Sequence, residues 1–143
     1  MTLRVLRTSL HTIELHTRMP FKFGIATLTA LPHLFVRAEV EIDGRIQLGV
    51  AAENLAPKWF TKEPAALLKD EFADMREVIS AACAFAEQVG PAITPFDFWK
   101  SVYEAQRRWA RTTGFPALLW SFGVSLIERA VIDAFCRATC QTL

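Results

Sequence analysis

The hairpin that decides the fold lies at residues 33–53, which have the sequence HLFVRAEVEIDGRIQLGVAAE. Apolar and polar side chains alternate over residues 33–43, which is the period-two pattern of a strand with one buried and one wet face. The Asp43–Gly44 pair is a strong signal for a tight hairpin turn. Residues 45–53 then return as a second strand. On the apolar side of this hairpin we expect Ile46, Leu48, Val50 and Ala52.

The rest of the chain adds one strand before this hairpin and three helices after it. A less regular alternation predicts a strand over 9–18, and apolar residues at helical spacing predict helices over 64–89, 95–111 and 117–138. Strands followed by helices indicate an α+β fold. We therefore expect a three-stranded antiparallel meander with a three-helix bundle packed on one face, and a length of 143 residues predicts a single domain.

The last helix, over 117–138, is apolar on nearly every side. A helix of this kind is either buried all round or covered by a partner. Three strands and two other helices are expected to leave part of it open. The composition therefore suggests a homo-oligomer formed through helix 117–138.

Composition excludes several classes of protein. The net charge is +1, which gives no electrostatic reason to expect a nucleic acid or a membrane surface as partner. No stretch of about 18 residues is free of charge, so no transmembrane helix is expected. The 3 cysteines lack the spacing of a zinc site, and an odd number argues against a disulfide framework. With residues 1–9 too polar for a signal peptide, we expect a cytoplasmic protein.

No residue pattern of a common active site occurs in the sequence. There is no phosphate-binding loop, no dinucleotide motif, no paired metal ligands and no nucleophile with an evident histidine partner. We predict that this chain alone holds no catalytic residue, no metal and no cofactor. Two segments, 18–26 and 53–62, carry large aromatic side chains together with basic residues, and such connections either anchor themselves to the core or contact a ligand. The residues alone leave both interpretations open.

Three features follow one another in the order found in a known family. A Pro-Phe-x-x-Gly stretch occurs at residues 20–24, and the strand and Asp-Gly hairpin follow at 36–49. The last helix then has the pattern small-x4-Glu-x-Ala-x2-Asp-Ala, formed by Gly123, Glu128, Ala130, Asp133 and Ala134. Over essentially its whole length the chain resembles the N-terminal capping domain of the enolase superfamily, in the mandelate racemase/muconate lactonizing enzyme branch.

The resemblance implies a division of labour with a second domain. In that family the capping domain lies over a modified (β/α) barrel that carries the bases and the carboxylates that hold Mg²⁺. Such a barrel needs about 200 further residues, and these have no counterpart here. The cap supplies two loops that close the pocket and select the substrate, which correspond to 18–26 and 53–61. The implied substrate-facing residues are Met19, Phe21, Lys22, Lys58 and Trp59, with Lys22 or Lys58 expected to meet a substrate carboxylate.

The function implied by the resemblance is that of a substrate-specificity capping domain. Its parent enzyme would be an isomerase or lyase that uses Mg²⁺ to remove a proton beside a carboxylate, as a racemase, dehydratase or cycloisomerase. Without the barrel, this chain is expected to be inert. Two alternatives stay open. One is a non-enzymatic interaction module that binds through helix 117–138, and the other is a small-acid-binding module that uses Lys22, Lys58 and Trp59.

Overall fold

The computed structural model describes residues 1–24, 26–60 and 67–142. Its three strands form one antiparallel sheet in the order β1-β2-β3, and three helices follow. The elements are β1 (Leu3–Phe23), β2 (Ala26–Ile42), β3 (Arg45–Asn54), α1 (Leu68–Gln88), α2 (Pro95–Ala110) and α3 (Ala117–Thr139). The predicted α+β fold, a three-stranded meander followed by three helices, is confirmed.

The first two strands are much longer than the sequence pattern predicts. Strand β1 has 21 residues and β2 has 17, against predictions of 9–18 and 33–43. The segment 18–26 was expected as a loop, but its described residues belong to the far end of the β1–β2 hairpin, where Phe21 pairs with Leu28. A register shift before Phe21 interrupts the ladder, and such an irregularity weakens the alternation on which a sequence-based strand prediction depends.

The helices begin close to the expected residues. Helix α2 starts at Pro95 after Thr94, whose hydroxyl oxygen accepts a hydrogen bond of 3.1 Å from the backbone N–H of Asp97, as an N-cap does. Helix α1 was expected from residue 64, and its described part begins at Leu68. Residues 61–66 lie outside the described part of the chain. None of the helices described is long and apolar enough to cross a membrane.

The predicted inner face of β3 is wrong. The Asp43–Gly44 turn pairs Ile42 with Arg45, so even-numbered residues of β2 lie beside odd-numbered residues of β3. Paired residues share a face of the sheet, and Gly49 and Ala51 are therefore buried with the apolar side of β2. The residues placed on the outer face are Ile46, Leu48 and Val50, which are 63%, 40% and 45% exposed. The length of the turn, rather than hydrophobicity, sets this register.

Helix α3 lies in the centre of the molecule. It packs against α1, α2, β2 and β3, and its buried residues are Leu119, Trp120, Gly123, Val124, Leu126, Ile127, Ala130, Val131 and Ala134. The sheet and the other helices cover much of this helix, but Leu118 is 63% exposed and Phe122 and Phe135 are only partly buried. The expectation that part of the helix stays open is therefore confirmed, and a homo-oligomer through helix 117–138 stays a prediction.

Two glycines allow α3 to come this close to its neighbours. A Cβ atom on Gly49 would lie 1.9 Å from the backbone oxygen of Ala130, and one on Gly123 would lie 2.2 Å from the backbone oxygen of Val78. The helix is also tied to β3 by the carboxylate of Asp133, which accepts a hydrogen bond of 2.9 Å from the backbone N–H of Val50. The sequence pattern of α3 that carried the family resemblance therefore consists mostly of residues that pack this helix against its neighbours.

A buried glutamine also joins the three helices. Gln106 of α2 is 0% exposed, and its amide group donates to the backbone oxygens of Val78 in α1, at 2.8 Å, and of Trp120 in α3, at 3.3 Å. Glutamine is a polar residue, so a search for apolar residues at helical spacing passes over this position. A hydrophobicity pattern therefore cannot indicate that this residue is buried. Its burial is tolerated because its amide group has hydrogen-bond partners.

We expect Gly49→Ala to lower the free energy of unfolding by about 3 kcal/mol, because the new methyl group must displace a backbone oxygen in a packed interface. Urea denaturation followed by circular dichroism measures this change. The matched control is Gly90→Ala, where a Cβ atom meets nothing within 4 Å and the backbone needs no positive φ. That control should stay within about 0.5 kcal/mol of the unmodified protein. Equal effects of the two substitutions would contradict the close approach of α3.

Candidate functional site

A concave pocket lies between the far end of the β1–β2 hairpin and the segment that follows β3. Its volume is about 660 Å³, which is within the range of small-molecule sites, roughly 300–1,000 Å³. We call it the hairpin pocket. The apolar side chains that line it are Phe21, Leu28, Leu31, Ala56, Trp59, Phe60 and Phe122, and the polar ones are Thr17, Glu53 and Asn54.

The apolar walls come from four parts of the chain. Leu28 and Leu31 of β2 are only 6% and 7% exposed. Phe60 contacts Phe122 of α3, with 4.9 Å between the ring centroids. Phe21 and Trp59 are 59% and 64% exposed and stand at the rim. The pocket therefore has a fixed apolar floor and two aromatic side chains at its edge.

The polar side chains of the hairpin pocket already have partners within the chain. The hydroxyl of Thr17 donates to the backbone oxygens of Leu28 and Thr29, each at 3.3 Å. The side-chain oxygen of Asn54 lies 2.6 Å from Nδ1 of His33. A guanidinium nitrogen of Arg129 lies 3.2 Å from the carboxylate of Glu53. Among the described residues that line the pocket there is no lysine or arginine.

A buried ion pair anchors the segment that carries Trp59 and Phe60. Glu71 of α1 accepts a hydrogen bond of 2.6 Å from the backbone N–H of Lys58 and also binds the Lys58 ammonium. The two side chains are only 9% and 8% exposed. Lys58 has a φ of 63°, which is unfavourable for a residue with a side chain. The double contact with Glu71 holds the backbone in this conformation.

The surroundings of this anchor are acidic. Asp70 and Glu71 stand in the first turn of α1, where the helix dipole favours negative charge. The pKa of Asp74 is raised by its burial and by the neighbouring carboxylates of Asp70 and Glu71. Lys58 therefore offsets part of a concentrated negative charge as well as holding its own segment.

The described residues do not form a magnesium site. No group of three or more His, Cys, Asp or Glu side chains in residues 1–24, 26–60 and 67–142 is placed to hold a metal ion. The donor set that Mg²⁺ prefers, several carboxylate and carbonyl oxygens, is thus not assembled in this part of the chain. We assign no chemical step to a metal here.

The sequence matches no protein-family model and no curated protein sequence. The structure, in contrast, is similar to an enolase from alpha proteobacterium bal199 with bound magnesium, with a TM-score of 0.62, 20% identity, and coverage of 96% of this chain and 32% of that one. It is also similar to a mandelate racemase/muconate lactonizing enzyme-like protein from Rubrobacter xylanophilus, with a TM-score of 0.61, 21% identity, and coverage of 95% and 31%.

The chain has the fold of the matched third of these proteins. The resemblance inferred from the sequence is confirmed at the level of the fold. A third similar structure is a substrate-liganded L-Ala-D/L-Glu epimerase from Bacillus subtilis, with a TM-score of 0.52, 14% identity, and coverage of 95% of this chain and 32% of that one. The chain therefore spans about a third of the length of these enzymes.

In this fold, the residues predicted to face a substrate separate into three groups. Phe21 and Trp59 line the hairpin pocket. Met19 and Lys22 are exposed on the far part of the hairpin and are not among the lining residues. The Lys58 ammonium is bound to Glu71. It therefore holds the segment after β3 in place, rather than pointing into the pocket as a free cation.

Several residues that line the hairpin pocket were not predicted from the sequence. Phe60 follows Trp59 directly, so its aromatic character was a usable signal. Leu28, Leu31 and Phe122 carry no such signal, because a leucine in a strand or a phenylalanine in an apolar helix is most often an ordinary core residue. Their role depends on how β2 and α3 are placed against the hairpin.

We expect Lys58→Met to lower the free energy of unfolding by about 3 kcal/mol, because it leaves the Glu71 carboxylate buried beside other carboxylates without its cation. Urea denaturation followed by tryptophan fluorescence measures the change. Replacing both partners, as Lys58→Met with Glu71→Leu, should recover much of the loss. The matched control is Lys22→Met, which removes an exposed lysine. A loss for Lys22→Met as large as that for Lys58→Met would contradict the anchoring role.

Proposed function

We propose that this chain is the substrate-specificity capping domain of a Mg²⁺-dependent enolase-superfamily enzyme that removes a proton beside a carboxylate. The observation that carries the proposal is the match of 95–96% of this chain to about a third of the chains of such proteins. In the proposed enzyme, a barrel domain supplies the base and the metal ligands. Racemisation, dehydration or cycloisomerisation is the class of reaction.

The ligands of the similar structures support this proposal. One is an enolase with bound magnesium, one is an L-Ala-D/L-Glu epimerase in a substrate-liganded complex, and a further one, from Bradyrhizobium, is an enolase complexed with magnesium and mandelic acid, with a TM-score of 0.57 and 14% identity. We extend to this chain the magnesium that two of these structures hold and the carboxylic acid that one of them holds.

The cap's own residues would bind, orient and shield the substrate. Phe21 and Trp59 stand exposed at the rim of the hairpin pocket, so they are placed to close over a substrate held between cap and barrel. Closure of this kind excludes water and strengthens the electrostatic interactions of the reacting groups. Met19 and Lys22, exposed on the hairpin, would contact the substrate or the barrel. The three cysteines are free, which fits the proposed cytoplasmic location.

A small-acid-binding module that acts without a barrel is the second candidate. It is favoured by the hairpin pocket, a concave and mostly apolar site of about 660 Å³. The two candidates differ in whether a barrel gives them enzymatic activity. A capping domain takes part in turnover once it is joined to its barrel, whereas a binding module catalyses no reaction under any condition.

We expect this chain alone, with Mg²⁺ in D₂O, to exchange no α-proton of mandelate or of other small carboxylic acids, because the described residues assemble neither metal ligands nor a base. Proton NMR measures the exchange. The same domain joined to the barrel that its genome encodes should exchange the α-proton of at least one acid. Exchange by this chain alone would contradict the proposal, as would a genome without any barrel-coding partner.

In the joined enzyme, Trp59→Ala should raise KM by about tenfold or more, because it removes an aromatic wall of the binding pocket. Steady-state kinetics measure the effect. The matched control is Phe96→Ala, because Phe96 is 62% exposed on α2, away from the hairpin pocket. If the two substitutions raised KM equally, the segment that carries Trp59 would have no specific role in substrate binding.

A further inference from the structure

The hairpin pocket is lined mostly by apolar side chains, and no lysine or arginine is among its described lining residues. We infer that it receives an apolar part of the substrate, an aryl or alkyl group, and that no second carboxylate of the substrate enters it. The word "substrate" here rests on the proposed function. The apolar character of the pocket's ligand rests on the geometry of this chain.

The floor of the pocket offers contact surface for an apolar group. Leu28 and Leu31 are almost fully buried, and the Phe60 ring is packed on Phe122 with their centroids 4.9 Å apart. These side chains are held by β2 and α3, so they need no rearrangement to receive a ligand. A preformed apolar cavity of this size, with a few polar groups at its margin, is the usual form of a small-molecule site.

Two cations beside the pocket have partners among the described residues. The Lys58 ammonium is bound to Glu71, and Arg129 is paired with Glu53. Because no lysine or arginine is among the described lining residues, a substrate carboxylate entering the pocket would lose its hydration without gaining a positive partner from them, which is strongly unfavourable.

The neutral polar groups do not change this conclusion. Thr17 donates to two backbone oxygens, and Asn54 lies at hydrogen-bond distance from His33. Neither side chain carries a charge, so neither can replace the hydration that a second carboxylate would lose on entry. The carboxylate that activates the substrate must therefore lie outside the hairpin pocket, on the side that the proposed barrel covers, while the apolar part of the substrate occupies the pocket.

Two series of acids test this inference on the 143-residue chain, with binding followed by the amide signals of Phe21 and Trp59 in NMR titrations. One series is the straight-chain monocarboxylates from butanoate to octanoate, and the other is the dicarboxylates from succinate to suberate. We expect affinity for the monocarboxylates to rise by about two- to fourfold for each added methylene. The dicarboxylates should show no such rise, and suberate should bind at least about tenfold more weakly than octanoate.

Substitutions of the rim residues Phe21 and Trp59 test whether the pocket is the source of the preference for octanoate over suberate. Phe21→Arg places a cation at the pocket, and it should reduce the octanoate-to-suberate affinity ratio by about tenfold. The matched control is Phe96→Arg, which makes the same change at an equally exposed phenylalanine on α2 and should leave the ratio unchanged. Trp59→Ala is a second variant that should weaken octanoate binding without adding charge. Unchanged amide signals outside the pocket verify that each variant is folded.

Several results would overturn the inference. Suberate could bind as tightly as octanoate, affinity could fail to rise with chain length, no acid could shift the pocket signals, or Phe21→Arg could leave the ratio unchanged. Failure of the proposed function is separate. A joined enzyme that turns over only acids with a charged distal group would keep the proposed function and overturn the apolar pocket. Selective binding of octanoate, with no α-proton exchange by any joined enzyme, would keep the apolar pocket and overturn the proposed function.

Discussion

The backbone of α3 touches the backbones of β3 and α1, and the rest of the molecule is arranged around these two contacts. They are possible because Gly49 and Gly123 lack the Cβ atoms that would meet backbone oxygens at 1.9 and 2.2 Å. The approach places an apolar helix in the centre, where sheet and helices can cover it. It also places Phe122, the residue before Gly123, at the floor of the hairpin pocket. The same constraint thus fixes the core and one wall of the candidate site.

Much of the fold could be predicted from the sequence because it depends on local patterns. The Asp43–Gly44 turn, the alternation in β2 and the Thr94 cap each act within a few residues, and each is present in the structure. The inner face of β3 could not be assigned by hydrophobicity, since its apolar residues Ile46 and Leu48 face outward while Gly49 faces inward. Counting the paired residues outward from the two-residue turn would have given the correct face, because the length of the turn fixes which residues lie opposite each other.

The candidate site was less predictable because it depends on contacts between distant segments. Aromatic character drew attention to Phe21 and Trp59, and both line the hairpin pocket. Charge drew attention to Lys58 in the same way, yet its ammonium is bound to Glu71, a residue 13 positions away on α1. A sequence shows which side chains carry charge, but not which of them are neutralised by a neighbour. The pocket is therefore apolar even though both segments that form it are basic.

The hydrogen bond between Asp133 and Val50 also protects a free edge. Strand β3 ends the sheet, and its outer face carries three exposed apolar side chains. An edge of this kind is a template for strands of other molecules, which leads to aggregation. Because the Val50 N–H is already donated to a carboxylate, an incoming strand finds one donor fewer and meets the ion pair of Asp133 with Arg137. The residue that seats α3 on the sheet thereby also discourages edge-to-edge association between copies of the chain.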